Sequence, residues 1–265
     1  MYVLLISCSL LFSLAQAQNS VLDYINARLQ AQAFFSFAQG GQNWGGLCTS
    51  GRSQSPIDIY VPETFSVSDP SFSAISIDIP PQEMTEFDYL IYPLYLANGT
   101  LSVVLDGTAY NLMLFELHVH IPAVHPINGL RYALEMHVTF TPSVPIPAFV
   151  ELTVAFLFQN GPRNPFFDSL LSNDIVDLSS LISTPIEDYF YYSGSRDTPA
   201  PDCIENISFV VVPEIFSISV DQLQAIKSGS YARAWASGGY HGVYREPQPL
   251  NERTVYHRVP ELSIV

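Results

Sequence analysis

The chain has 265 residues, 48% of them hydrophobic, which is enough to bury one substantial core, and a single domain is the simplest organisation. Ten basic residues against 25 acidic ones give a net charge of −15, spread along the chain with no basic cluster to hold phosphates. Nucleic acid and anionic membrane surfaces are excluded as expected partners on that ground.

In chain order, residues 1–17 (MYVLLISCSLLFSLAQA) are an apolar stretch of signal-peptide length that ends in Ala-x-Ala. It is too short to span a bilayer comfortably, and although its start lacks Lys or Arg, it reads as a cleaved signal peptide. The expected mature chain begins at Gln18, is secreted and carries no transmembrane segment. Cleavage removes Cys8 and leaves Cys48 and Cys203; an even pair in a secreted chain suggests a disulfide, the alternative being two independent buried thiols. Residues 18–38 form an N-terminal extension in which Ser20 caps a helix with Leu22, Ile25 and Leu29 on one stripe. Asn98-Gly99-Thr100 and Asn206-Ile207-Ser208 are glycosylation sequons, which place Asn98 and Asn206 on the surface of an extracellular glycoprotein.

From Phe72 onward short apolar or alternating runs rich in Val, Ile, Tyr, Phe and Thr predict strands over 74–79, 89–96, 101–105, 111–120, 132–141, 149–158 and 207–212. Helical signals are few: a Ser-capped segment over 219–227 that stops at Ser228-Gly229, and one turn over 168–171. The expected class is mainly β with a few short helices, one large twisted sheet under long Pro-rich connections, no repeat and no second domain. Residues 260–265 read as a C-terminal tail.

Four of the six histidines fall within residues 115–140, FELHVHIPAVHPINGLRYALEMHVTF. His118 and His120 are two apart and project to one face of a strand. His137 lies in the next strand-like run, with the turn dipeptide Asn128-Gly129 between the two. If the runs pair antiparallel, three imidazoles converge, and three neutral imidazoles with an open fourth position form the ligand set of a catalytic zinc site. Glu116 and Glu135 each precede a histidine by two residues, share its face and are placed to take its second ring N–H.

At these residues the chain resembles the α-class carbonic anhydrases. LHVH (117–120), AVHPING (123–129) and EMHVT (135–139) follow the order of that family's histidine signature. Asn43-Trp44-Gly45, QSPIDI (54–59), Tyr192 with Gly194-Ser195 and Thr198-Pro199, and Arg245 with Gln248-Pro249-Leu250 extend the match over roughly 35–259. The resemblance implies a large, mostly antiparallel central sheet in a domain over 39–259 and agrees with a Cys48–Cys203 bridge. It implies zinc on His118, His120 and His137, with the zinc-bound hydroxide attacking carbon dioxide to give bicarbonate.

The resemblance also exposes departures. Where the family has a threonine that passes its proton to a buried glutamate, this chain has Asp197 and Val124. Asp197 could accept the hydroxide's hydrogen bond itself, with Thr198 as the other candidate for that role, or close on the metal as a fourth ligand. The aligned substrate pocket is Thr139, Val154 and Arg196, of which only Val154 is apolar; Arg196 is placed to neutralise Asp197 or recruit an anion. The position of the usual proton-relaying histidine aligns near Thr100, leaving His241 and His257 as distant substitutes. His125 with Tyr192 is expected to buttress the site. The leading function is zinc-dependent hydration of carbon dioxide at reduced turnover; the alternative is a secreted relative that binds zinc but serves a binding or structural role.

Overall fold

The computed structural model describes residues 37, 39–68, 70–82, 98–143, 151–172, 174–198, 203–236 and 243–260. The expected signal peptide, nearly all of the N-terminal helix, the strand over 89–96, His241 and residues 261–265 of the C-terminal tail lie outside them. The described residues form one nine-stranded sheet with three helices.

The strands are β1 (Phe65–Val67), β2 (Ser76–Asp78), β3 (Thr100–Leu105), β4 (Thr108–His120), β5 (Leu134–Pro142), β6 (Glu151–Asn160), β7 (Tyr189–Ser195), β8 (Glu205–Ile218) and β9 (Tyr256–Arg258). Their order across the sheet is β1-β9-β7-β8-β6-β5-β4-β3-β2. β1 with β9 and β6 with β8 are parallel, and the other pairings are antiparallel. The expected mainly β, mostly antiparallel sheet is therefore the observed one.

The central strands explain their own place. β6, ELTVAFLFQN, is an almost unbroken apolar run, and its first eight residues are buried, as expected of a strand covered on both faces. β3 alternates exposed and buried positions, the pattern of a strand nearer the edge. On one face Leu117, Met136, Val138, Val154 and Phe156 join a core that also takes in Phe166, Phe167 and Leu170 of α2 (Pro165–Ser172) and Leu223 and Ile226 of α3 (Val220–Ala236). Ser219 caps α3: its Oγ accepts from Gln222 N at 3.3 Å while Gln222 Oε1 accepts from Ser219 N at 3.2 Å, a reciprocal capping box. The helix runs on through Ser228-Gly229, where the sequence predicts a stop; glycine in a helix interior costs about 1 kcal/mol and does not forbid it.

α1 (Leu47–Ser50) is a single turn that carries Cys48, and Cys48 is disulfide-bonded to Cys203 across 155 residues of sequence with Cα atoms 5.0 Å apart. Arg245 is buried beside it, its Nη2 donating to Cys48 O at 2.6 Å and its Nη1 to Gln54 Oε1 at 2.9 Å and to Ser55 O at 2.7 Å. The QSPIDI segment is thereby fastened to the end of the sheet where the histidines lie.

Candidate metal centre

β4 and β5 pair in the register that a metal site requires: Glu116 opposite Thr139, His118 opposite His137, and His120 opposite Glu135. Directly opposed residues share a face, so all six side chains lie on one side of the sheet. Asn128 and Gly129, with φ of 51° and 78°, form the two-residue turn read from the sequence, with Ile127 and Leu130 exchanging both backbone hydrogen bonds. This turn stands at the tip of the connection between the strands. The His118, His120 and His137 rings lie with centroids 4.6 to 5.0 Å apart.

The second nitrogen of each ring faces an acceptor. His120 Nδ1 is 3.1 Å from Val243 O, and His137 Nε2 is 2.6 Å from Glu135 Oε1. His118 Nδ1 is 3.3 Å from Glu116 Oε1, within reach but poorly aligned for a hydrogen bond. Donation by His120 and His137 leaves the lone pairs of His120 Nε2 and His137 Nδ1 pointing inward, and a proton on His118 Nδ1, the nitrogen nearest Glu116, leaves that of His118 Nε2 facing them. His118 Nε2 and His137 Nδ1 are only 3.2 Å apart. Two lone pairs at that distance repel unless a cation or a proton lies between them.

Asp197 completes the cluster. It follows the end of β7, is buried, and holds Oδ2 3.1 Å from His120 Nε2 and 3.9 Å from His137 Nδ1. Both Asp197 Oδ2 and His120 Nε2 are buried without a hydrogen-bond partner among the described residues. The four side chains each offer one donor atom, and those atoms lie within 4.8 Å of one another. Burial works against the ionised form of Asp197, but the three imidazoles outweigh it and hold its carboxyl below the usual range. Burial, with the neighbouring imidazoles, pushes His120 down to about 4 against the opposing pull of Asp197. His120 is therefore neutral at pH 7, the state a metal needs. The residues present fit a metal ion: orphaned buried donors, a fixed tautomer set and a carboxylate converge on one point.

Beneath the cluster lies a hydrogen-bonded tier. Glu135 Oε1 also accepts from His125 Nδ1 at 2.6 Å, and Oε2 accepts from the backbone N–H of Val124 at 2.9 Å and of His125 at 2.8 Å. Burial opposes the charge on Glu135, but His125 and His137 more than compensate and hold its carboxyl well below the ordinary range. His125 Nε2 lies 2.6 Å from Tyr192 Oη, which lies 2.9 Å from Ser55 Oγ. Burial raises the Tyr192 phenol, which stays protonated. The expected His125–Tyr192 contact is present, and Val124 adds only its backbone N–H to this tier.

Three expectations about the site change. Val154 lies opposite Val138 and packs with it in the core on the far face of the sheet, so it does not line the site. The residue on the histidine face is Thr153, opposite Thr139, with their hydroxyls 3.1 Å apart. Arg196 forks onto Glu151, with Nε to Oε1 at 3.0 Å and Nη2 to Oε2 at 2.7 Å, so the carboxylate it pairs with is Glu151 rather than Asp197. His257 bonds Asp188 at 2.8 Å before the start of β7, the length of that seven-residue strand, roughly 20 Å, from Asp197. It cannot relay protons from the site.

Thr198 follows Asp197 half-buried, Thr100 is exposed on β3, and Asn98 and Asn206 are exposed. Sequence reasoning missed Thr153, which counting alternate residues along β6 would have found, and the pairing of Glu151 with Arg196. It also missed the carbonyl of Val243, for which no side-chain signal exists.

A model of the eukaryotic-type carbonic anhydrase family matches residues 39–259. Among curated proteins, carbonic anhydrase Nec1 of Nesocodon mauritianus is 25% identical over 244 residues, covering 82% of this chain and 80% of that protein. Alpha carbonic anhydrase 8 of Arabidopsis thaliana is 27% identical over 247 residues, covering 86% of this chain and 60% of that longer protein. Among solved structures, the α-carbonic anhydrase of Thermovibrio ammonificans, determined with the inhibitor sulfanilamide, superposes with a TM-score of 0.62 at 24% identity, covering 79% of this chain and 89% of that one. The family match spans every strand of the sheet and all the histidines of the cluster, and on that evidence the chain belongs to the eukaryotic-type carbonic anhydrase family.

Proposed function

We propose that the protein is a secreted zinc-dependent carbonic anhydrase of reduced turnover, interconverting carbon dioxide and bicarbonate. The observation that carries this reading is the convergence of His118 Nε2, His120 Nε2 and His137 Nδ1 with their second nitrogens turned toward acceptors. Zinc, when bound, would supply a water made far more acidic than bulk water, with a pKa of about 7, available as a nucleophile near neutral pH.

The chain's own residues do the rest. Glu135 and the Val243 carbonyl hold the rings of His137 and His120 in the tautomer that presents a lone pair inward, and Glu116 lies 3.3 Å from Nδ1 of His118. The Glu135–His125–Tyr192–Ser55 tier fixes Glu135 and through it His137. Asp197, ionised and buried against the rings, has no proton to pass on and needs no partner to receive one, which accounts for a valine at position 124. Thr139 and Thr153 give the adjoining wall hydroxyls in place of hydrocarbon, so it solvates a polar group better than carbon dioxide. The disulfide suits an oxidising compartment and supports secretion.

A second reading, a zinc protein with little or no hydration activity and a binding or structural role, is favoured by the position of Asp197 and by that polar wall. Metal analysis tests the shared premise. Purified protein is expected to hold one zinc per chain and His118→Ala much less than one, with activity lost in parallel. Wild-type protein that fails to take up zinc from a zinc-containing buffer contradicts the assignment.

A further inference from the structure

The centre has four donor atoms where a catalytic site of this kind needs three. Tetrahedral donors about 2.0 to 2.2 Å from zinc stand about 3.3 Å from one another. The structure places His118 Nε2 and His137 Nδ1 3.2 Å apart, His120 Nε2 and Asp197 Oδ2 3.1 Å apart, and His137 Nδ1 and Asp197 Oδ2 3.9 Å apart. The carboxylate thus stands at the spacing of a ligand, whereas a residue that only orients a water must stand off by the length of that water.

Two further observations support this. Asp197 Oδ2 and His120 Nε2 face each other as buried atoms with no hydrogen-bond partner among the described residues, and with His120 Nδ1 turned to Val243 O the contact is lone pair against lone pair. A cation resolves both deficits at once. Arg196, the adjacent guanidinium, is forked onto Glu151. The disulfide at Cys203 pins the chain six residues beyond Asp197.

We propose that Asp197 is the fourth metal ligand, so that the resting centre is a closed three-histidine, one-aspartate site into which water or an anion enters only by displacing the carboxylate or by adding a fifth position. The proposal rests on the zinc reading above. It makes Asp197 a built-in competitor of substrate water and of anionic inhibitors, and it locates the low turnover in one side chain.

Cobalt(II) substitution reads coordination directly, because the visible spectrum of the ion changes when a ligand is exchanged. Wild-type cobalt protein and Asp197→Thr are titrated with benzenesulfonamide, an anion-forming probe. The wild-type spectrum is expected to stay unchanged at concentrations that convert the variant fully, a difference in midpoint of at least about tenfold. The variant is also expected to hold zinc at least about 10-fold more weakly against a chelator, since losing a ligand costs no less than losing an outer-shell group that supports one.

A wild-type spectrum that shifts at the same midpoint as that of the variant overturns the proposal and leaves the zinc reading standing. Failure of the wild type to bind cobalt or zinc stoichiometrically overturns both. Should Asp197→Thr not fold, Asp197→Asn keeps the shape of the side chain, and the wild-type titration is by itself decisive: a shift at micromolar sulfonamide contradicts a closed site.

Discussion

Replacing Glu135 with glutamine is expected to lower zinc affinity by roughly 10- to 100-fold and to destabilise the metal-free protein by about 2 to 6 kcal/mol. Glu135 accepts four hydrogen bonds inside the protein, from His125 Nδ1, His137 Nε2 and the N–H groups of Val124 and His125. A glutamine offers one acceptor oxygen and turns an NH2 toward two of those donors. Two buried N–H groups are left unsatisfied, at about 1 to 3 kcal/mol each. His137 can recover by moving its proton to Nδ1, but that removes the lone pair the metal needs. Denaturant midpoints and competition with a chelator measure the two effects separately. A glutamine variant that keeps wild-type zinc affinity would show that Glu135 does not set the tautomer of His137.

The second large effect is expected from the disulfide. Cys48 and Cys203 are 155 residues apart in sequence, and the chain-entropy estimate for so long a loop is about 5 kcal/mol. Reduction, or Cys48→Ser with Cys203→Ser, is expected to cost about 2 to 5 kcal/mol, the range for native bridges in small secreted domains. Cys203 O accepts from Gln54 Nε2 at 3.1 Å and Cys48 O from Arg245 Nη2. These bonds soften the loss of the covalent link without replacing it. Denaturant unfolding with and without reductant measures the difference, and coincident curves would mean that the bridge does not restrain the unfolded chain as supposed.

The histidine cluster was legible because a strand repeats every two residues. His118 and His120 share a face in a strand, and the expected antiparallel pairing of the two runs does bring His137 alongside. The same rule exposes the error at Val154. A one-residue slip in register carries a side chain through the sheet, and the family alignment that assigned Val154 to the pocket is one residue away from Thr153, which is the β6 residue opposite Thr139 on the histidine face. β7 (Tyr189–Ser195) has a strong strand composition in Tyr and Phe that coincides with the motif residues Tyr192, Gly194 and Ser195. β1 and β9, with three residues each, are too short to carry a periodic signal. The partner of Arg196 was illegible because Glu151 precedes it by 45 residues, a distance no local pattern spans. Asp197 was legible as a departure from the family pattern, and the choice between its two roles needed the distances to His120 and His137.

The most direct test of the account is stopped-flow hydration of carbon dioxide by wild-type protein loaded with one zinc per chain, read against the same protein after chelation. The account predicts a slow, zinc-dependent rate above that of the buffer, which is lost on chelation, returns with zinc and rises about tenfold or more in Asp197→Thr. A rate equal to the buffer's with zinc in place contradicts it and leaves a metal-binding domain without the hydration activity.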